Sequence, residues 1–177
     1  MAGSRCTIDS SCIVALQHLN LLPKLSLLFS EILVPKAVRQ ELSKRRGSKD
    51  HLKFLFREYA FFQRCDEYDK GAVDFLLAER QRIGSADRGE VEAAVQASQV
   101  GATVIVDDKW GRKLAASFDL EVHGTLWLLQ RFQELELITT TDLRRHFLAL
   151  RGIGLRLPWG RVNTLLDKLG EEPLTGD

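Results

Sequence analysis

Cysteine is scarce: the 177 residues contain only Cys6, Cys12 and Cys65, with no Cys-x-x-Cys. So few, in an odd number, they exclude a disulfide framework and are expected as reduced core thiols of a cytoplasmic protein. His18, His51, His123 and His146 stand at no zinc spacing to one another or to the cysteines, which argues against a structural zinc. No apolar run approaches the roughly 20 residues of a membrane span, and Met1 to Arg5 has no signal-peptide core, so no membrane association is expected. An excess of one charge is missing too. Lys and Arg number 25 against 24 Asp and Glu, for a net charge of +1. Any nucleic-acid affinity must therefore come from local patches. There is no internal repeat, glycine-rich phosphate loop, Ser-His-Asp spacing or His pair for acid–base work.

What is present is an ordinary globular composition, 45% hydrophobic. A chain of this length suits one domain that buries roughly 70% of the surface its unfolded form exposes. Short β-branched runs alternate with helical patterns, which implies α/β architecture: a mostly parallel sheet with helices on both faces. The plainest strand is Thr103 to Val106, uncharged and β-branched, stopping at Asp107-Asp108 where a helix from Lys109 begins. Strands are also expected at Cys6–Asp9, Ile32–Val34, Tyr59–Gln63 and Leu120–Val122. Helices are expected from Ser10, over Leu21–Phe29, Lys36–Lys44, Asp50–Arg57 and Asp69–Arg82, after Gly89, over Leu126–Leu135 with Thr125 as N-cap, over Asp142–Leu150 and over Pro158–Leu169. Glu171 to Asp177 reads as a frayed tail.

Ligands of open α/β sheets sit beyond the carboxyl ends of the strands. Asp9 and Asp107/Asp108 stand at such ends, each immediately before a helix. Capping is the competing explanation for each, and Asp108 is also spaced to pair with Arg112 at i,i+4. Glu41 lies at the edge of the apolar stripe of Val38 and Leu42, where a purely solvated helix would not put a carboxylate. Asp87-Arg-Gly-Glu90 fits a capping box, yet Glu90 shares its face with the small residues Ala93, Ala94 and Ala97, which would let the helix approach the sheet. Two carboxylates about 5 Å apart repel by roughly 3 kcal/mol at an effective dielectric near 20. A converging set therefore needs protons or a divalent cation, and oxygen donors alone select hard ions such as Mg²⁺ or Mn²⁺. Such ions suit displacement at phosphorus.

Ile8-Asp-Ser-Ser11, Leu33-Val-Pro-x-x-Val-x-x-Glu-Leu42, Gly89-Glu90, Val104-Ile-Val-Asp-Asp108, Gly111-Arg112 and Gly124-Thr125 follow one another in an order that resembles the PIN-domain ribonucleases. Within them the chain is similar to a VapC-like group with a Gly-Glu third acid and an Asp-Asp fourth. The resemblance implies a three-layer α/β/α domain with a five-stranded parallel sheet over residues 1–138, a helical C-terminal extension over 139–170 and a tail over 171–177. It implies an Mg²⁺ or Mn²⁺ site at Asp9, Glu41, Glu90 and Asp107 or Asp108, endonucleolytic cleavage of RNA, a cognate antitoxin and a homodimer. Arg45, Arg46, Lys49 and Arg112 are the expected substrate-binding residues, although the stretch from 45 to 86 matches the group poorly. An aspartyl-phosphate domain is the runner-up enzyme class, but Asp9-Ser-Ser11 lacks the second Asp of an Asp-x-Asp motif and no Lys follows Val122. A PIN-like binding module without nuclease activity is the third reading.

Overall fold

The computed structural model describes residues 4–44, 48–82 and 87–174. Five strands form one parallel sheet: β1 (Arg5–Ile8), β2 (Glu31–Pro35), β3 (Phe62–Cys65), β4 (Thr103–Ile105) and β5 (Val122–His123), in the order β3-β2-β1-β4-β5. The helices are α1 (Ser10–His18), α2 (Lys36–Lys44), α3 (Ser48–Glu58), α4 (Lys70–Gln81), α5 (Arg88–Val100), α6 (Lys109–Ser117), α7 (Thr125–Glu134), α8 (Thr140–Gly152) and α9 (Trp159–Lys168). The expected three-layer α/β/α domain is what the chain forms.

Side chains alternate across a strand, and this alternation divides the core in two. Cys6, Ile8, Ile32, Val34 and Ile105 face a layer built from α1, α7, α8 and α9, with Leu16, Phe132, Phe147 and Leu166 fully buried in it. Val104 and Val106 face the opposite layer, where Val73 of α4, Val91, Ala94 and Ala97 of α5, and Leu114 of α6 meet them. Alanines on α5 let it lie close to the sheet: the Thr7 hydroxyl donates to the Ala93 carbonyl at 3.1 Å. Helix α2 packs against both α1 and α5 and so joins the two layers at the carboxyl edge of the sheet.

Several elements differ from expectation. Leu22–Leu27 is a 3-10 helix, entered through Pro23, rather than an α-helix. β3 begins at Phe62 and not Tyr59, because the Tyr59 N–H donates to Leu55 O and continues the turn of α3. β5 begins at Val122 because Leu120 N–H is spent on Ala115 O at the end of α6. Gly124, not Thr125, is the N-cap of α7. Cys6 and Cys12 are buried thiols, whereas Cys65 on edge strand β3 is only half-buried. The expected fraying from Glu171 does not hold as far as Leu174, which is buried and exchanges two hydrogen bonds with the Asn163 amide.

Candidate functional site

The strand order reverses at β1: β2 and β3 lie on one side of it, β4 and β5 on the other. In an open parallel sheet the crevice beyond that reversal is where ligands bind. Asp9 stands at this point, its N–H donating to Ile105 O at 2.9 Å across the β1–β4 seam. Its carboxylate accepts from the Ser11 N–H and from the Ser11 hydroxyl, so it caps α1 while remaining only 7% exposed. Burial pushes its pKa up, and the bonds from Ser11 and Ser10 oppose the shift only in part.

Glu41 and Glu90 arrive from the two helices that flank the crevice. The Ser10 hydroxyl donates to Glu41 Oε2 at 2.7 Å, tying α1 to α2. Glu90 lies in the first turn of α5 and is 8% exposed. The capping box does not form. Asp87 caps α5 through the Gly89 N–H, while Glu90 turns inward to lie against Gly111. Burial raises Glu90 to about 8, reinforced by the charges of Asp108, Asp87, Asp9 and Glu41. Burial likewise raises Glu41 to about 7; the Ser10 hydrogen bond opposes this, and Asp87 and Asp9 add to it. Asp87, read from sequence as a cap alone, is thus a fifth acid of the cluster.

The two neighbouring aspartates part company. Residues 104 and 106 face the α5 layer, and Asp108 continues on that flank: it lines a cleft of about 600 Å³ with Asp87 and Glu90. Asp108 also caps α6, accepting from the N–H groups of Trp110 and Gly111. Asp107 leaves on the α1/α7 flank with Ile105. Its Oδ1 accepts from Thr125 N at 2.8 Å and its Oδ2 from Thr125 Oγ1 at 2.6 Å, with Cys12 Sγ 3.5 Å away. Burial, then the charges of Asp107 and Asp9, push the Cys12 thiol well up. The expected i,i+4 pair of Asp108 with Arg112 is absent, because Arg112 instead donates to Val106 O and Val122 O, tying β4 to β5.

Each glycine of the short motifs makes room for an acid from another element. A Cβ on Gly89 would stand 2.6 Å from Glu41 Oε1, and one on Gly111 would stand 3.0 Å from Glu90 Cδ. One on Gly124 would collide with Asp107 Oδ1. Their spacing in sequence thus reports on a single three-dimensional packing problem.

The PIN-domain family profile matches residues 5–171. The chain belongs to the PIN-domain family. Among solved structures this PIN domain aligns with a chain of VapBC2 from Rickettsia felis, determined bound to a DNA fragment from its promoter. The identity is 16%, the alignment covers 68% of this chain and 98% of that one, and the TM-score is 0.46. No curated protein matches the PIN domain described here.

Asp9, Glu41, Glu90 and Asp108 therefore surround one end of the sheet with Asp87, and Asp107 stands on the other flank of β4. Among the described residues no group of three or more His, Cys, Asp and Glu side chains is drawn together tightly enough to hold a metal ion as it stands. The acids' donor chemistry, carboxylate oxygen throughout, still fits a hard divalent cation. Of the residues expected to bind substrate, Arg112 lies on the Asp107 flank of β4, outside the cleft that holds Glu90 and Asp108. Arg45 and Arg46 lie outside the described residues, as does the side chain of Lys49.

Proposed function

We propose that this PIN domain is a divalent-cation-dependent endoribonuclease, the toxin of a toxin–antitoxin pair. The observation that carries the reading is the oxygen-only acid cluster at the β1/β4 reversal, with Glu41 held up at about 7 and Glu90 at about 8. Membership of the PIN-domain family supports a nuclease. The order of the short motifs supports RNA as substrate, a VapC-like toxin role, an antitoxin partner, a homodimer and a cytoplasmic site of action.

Asp9, Glu41, Glu90 and Asp108 would hold Mg²⁺ or Mn²⁺, with Asp87 as a further donor beside Glu41 and Asp107 flanking from the α7 side. The cation would supply an activated water and neutralise charge at phosphorus. The chain's own residues do the rest. Ser11 orients the Asp9 carboxylate, and the Ser10 hydroxyl fixes Glu41 Oε2. In the cation-free chain Glu41 and Glu90 hold their protons up to about 7 and about 8, so taking up the cation would release protons from these two carboxyls. Arg112, with Arg45, Arg46 and Lys49, would grip phosphates on either side of the cut.

The lack of a ready ligand set among the described residues favours a second reading, a PIN-like binding module without nuclease activity. Incubating the purified, antitoxin-free chain with a mixed RNA pool and Mn²⁺, beside Asp9→Asn and Glu90→Gln, decides between them. The nuclease reading expects cleavage by the wild type that both variants abolish and that falls as salt rises. Equal residual cleavage by all three marks contamination and leaves the binding module.

A further inference from the structure

Beside the acid cluster lies a second cleft, of about 620 Å³, between α6, α7 and the start of α9. Lys109, Arg112, Lys113, Arg156 and Arg161 line it, against one carboxylate, Asp107. A chain of net charge +1 has thus gathered five cations in one cleft. Lys109, Lys113, Arg156 and Arg161 are exposed and take part in none of the ion pairs among the described residues. Their charge is available to a ligand. Another part of the lining is flat and aromatic: the rings of His123 and Trp127 stack with centroids 3.8 Å apart at 8°. The His123 ring is fixed in place by Glu121 Oε1 at 2.8 Å.

The two clefts are continuous through shared residues. Lys109 and Lys113 line both this cleft and the one that holds Glu90 and Asp108. A polyanion with one phosphate at the acids would pass these lysines into the basic cleft. Cations at successive positions along a groove, with an aromatic wall beside them, are what single-stranded nucleic acid needs: charge for the backbone and a flat surface for a base. An acidic protein segment would use the cations but not the aromatic wall.

Building on the nuclease reading, we propose that this cleft is the path of the substrate strand. A single-stranded RNA leaves the acid cluster past Lys109 and Lys113, sets its phosphates against Arg156 and Arg161, and packs a base on the His123–Trp127 wall. The C-terminal extension, which supplies Arg156 and Arg161, thereby becomes part of the substrate-binding surface.

The test measures fluorescein-labelled single-stranded RNA of mixed sequence by anisotropy, in EDTA, on the full chain carrying Glu90→Gln to prevent cutting. Added to that background, Arg156→Glu with Arg161→Glu is expected to weaken binding at least tenfold. It should also shrink the slope of log affinity against log salt by about 1.4, from about 0.7 per single-strand phosphate neutralised. Trp127→Ala is expected to weaken binding by roughly tenfold with the slope unchanged. Lys70→Glu with Lys168→Glu, a charge-matched pair at exposed positions outside this cleft, should leave both unchanged. Because Trp127 is half-buried, the exposed arginine pair decides alone if Trp127→Ala fails to fold. Arginine variants that keep the affinity and slope of the lysine pair overturn the assignment, as does a parent chain that binds no RNA. Cleavage by the wild type with Mn²⁺ is read separately. Binding that depends on the arginines without any cleavage sustains the cleft and refutes the nuclease; cleavage that ignores the arginines does the reverse.

Discussion

Asp107 and Asp108 leave the end of β4 on opposite flanks, Asp107 toward Cys12 and Thr125 and Asp108 toward Glu90. Asp107→Ala removes the acceptor for two Thr125 donors and should lower stability by about 2 kcal/mol, the usual size for hydrogen bonds to a charged group, as measured in urea melts. Asp108→Asn retains a cap for α6 but removes the charge that acts most strongly on Glu90. The Glu90 carboxyl, followed by carbon NMR, should then titrate below its value of about 8. A Glu90 titration moved by Asp107→Asn and untouched by Asp108→Asn would reverse the two assignments. The sequence carried the acids themselves, because carboxylates at strand ends and on apolar helix edges break a pattern. It did not separate Asp107 from Asp108, since one residue's uncertainty in where β4 ends exchanges the flanks. Asp87 was hidden by a role it also fills: a cap and a member of an acid cluster look identical when read in one dimension.

Among the elements, α2 and α5 are joined by a buried carboxylate that sequence patterning did not reveal. Glu92 of α5 is 2% exposed; its Oε2 accepts from Ala37 N in the first turn of α2 at 2.8 Å, and its Oε1 from Arg88 Nε at 2.9 Å. It thus serves α2 as a cap borrowed from another helix, opposite the positive end of that helix. The bond holds together the two helices that carry Glu41 and Glu90. Glu92→Ala should cost about 2 kcal/mol through the unpaired Ala37 N–H and the lost charge pairing, and Glu92→Gln less, since an amide oxygen still accepts. Equal melting temperatures for wild type and Glu92→Ala would show that the bond contributes nothing. Helices with a clear apolar stripe, such as Lys36–Lys44, lie where periodicity puts them. Glu92 escaped because α5 is enclosed by the sheet, α2, α4 and α6, so its polar positions are interior too. The strand expected from Tyr59 starts only at Phe62, since Tyr59 and Phe61 stack at 5.6 Å in the turn after α3. Local β-propensity lost there to tertiary packing.

For the whole molecule the acid cluster makes stability depend on pH in an unusual direction. Glu41 and Glu90 titrate at about 7 and about 8 in the fold against an ordinary 4.5, so the folded state binds protons more tightly than the unfolded one. Their contribution is fully present below the ordinary value and is lost as pH rises through 7 and 8. Thermal melts in EDTA should therefore fall from about pH 5 to about pH 9, and Mn²⁺ should reduce the fall. A melting temperature that is flat or rising over that range would refute the cluster's electrostatics. The sheet order carries a further consequence, one of time. β1 gains β2 when Ile32 pairs with Cys6, but its other neighbour waits for Thr103, far later in the chain. Pairings this distant are slow to form, because the chain between them must be gathered first. Asp9 can be emerging from the ribosome, and even capping α1, long before Glu90 and Asp108 exist to face it. Until Asp87 and the residues after it have been made, a nascent chain therefore carries only the Asp9 and Glu41 half of its acid cluster.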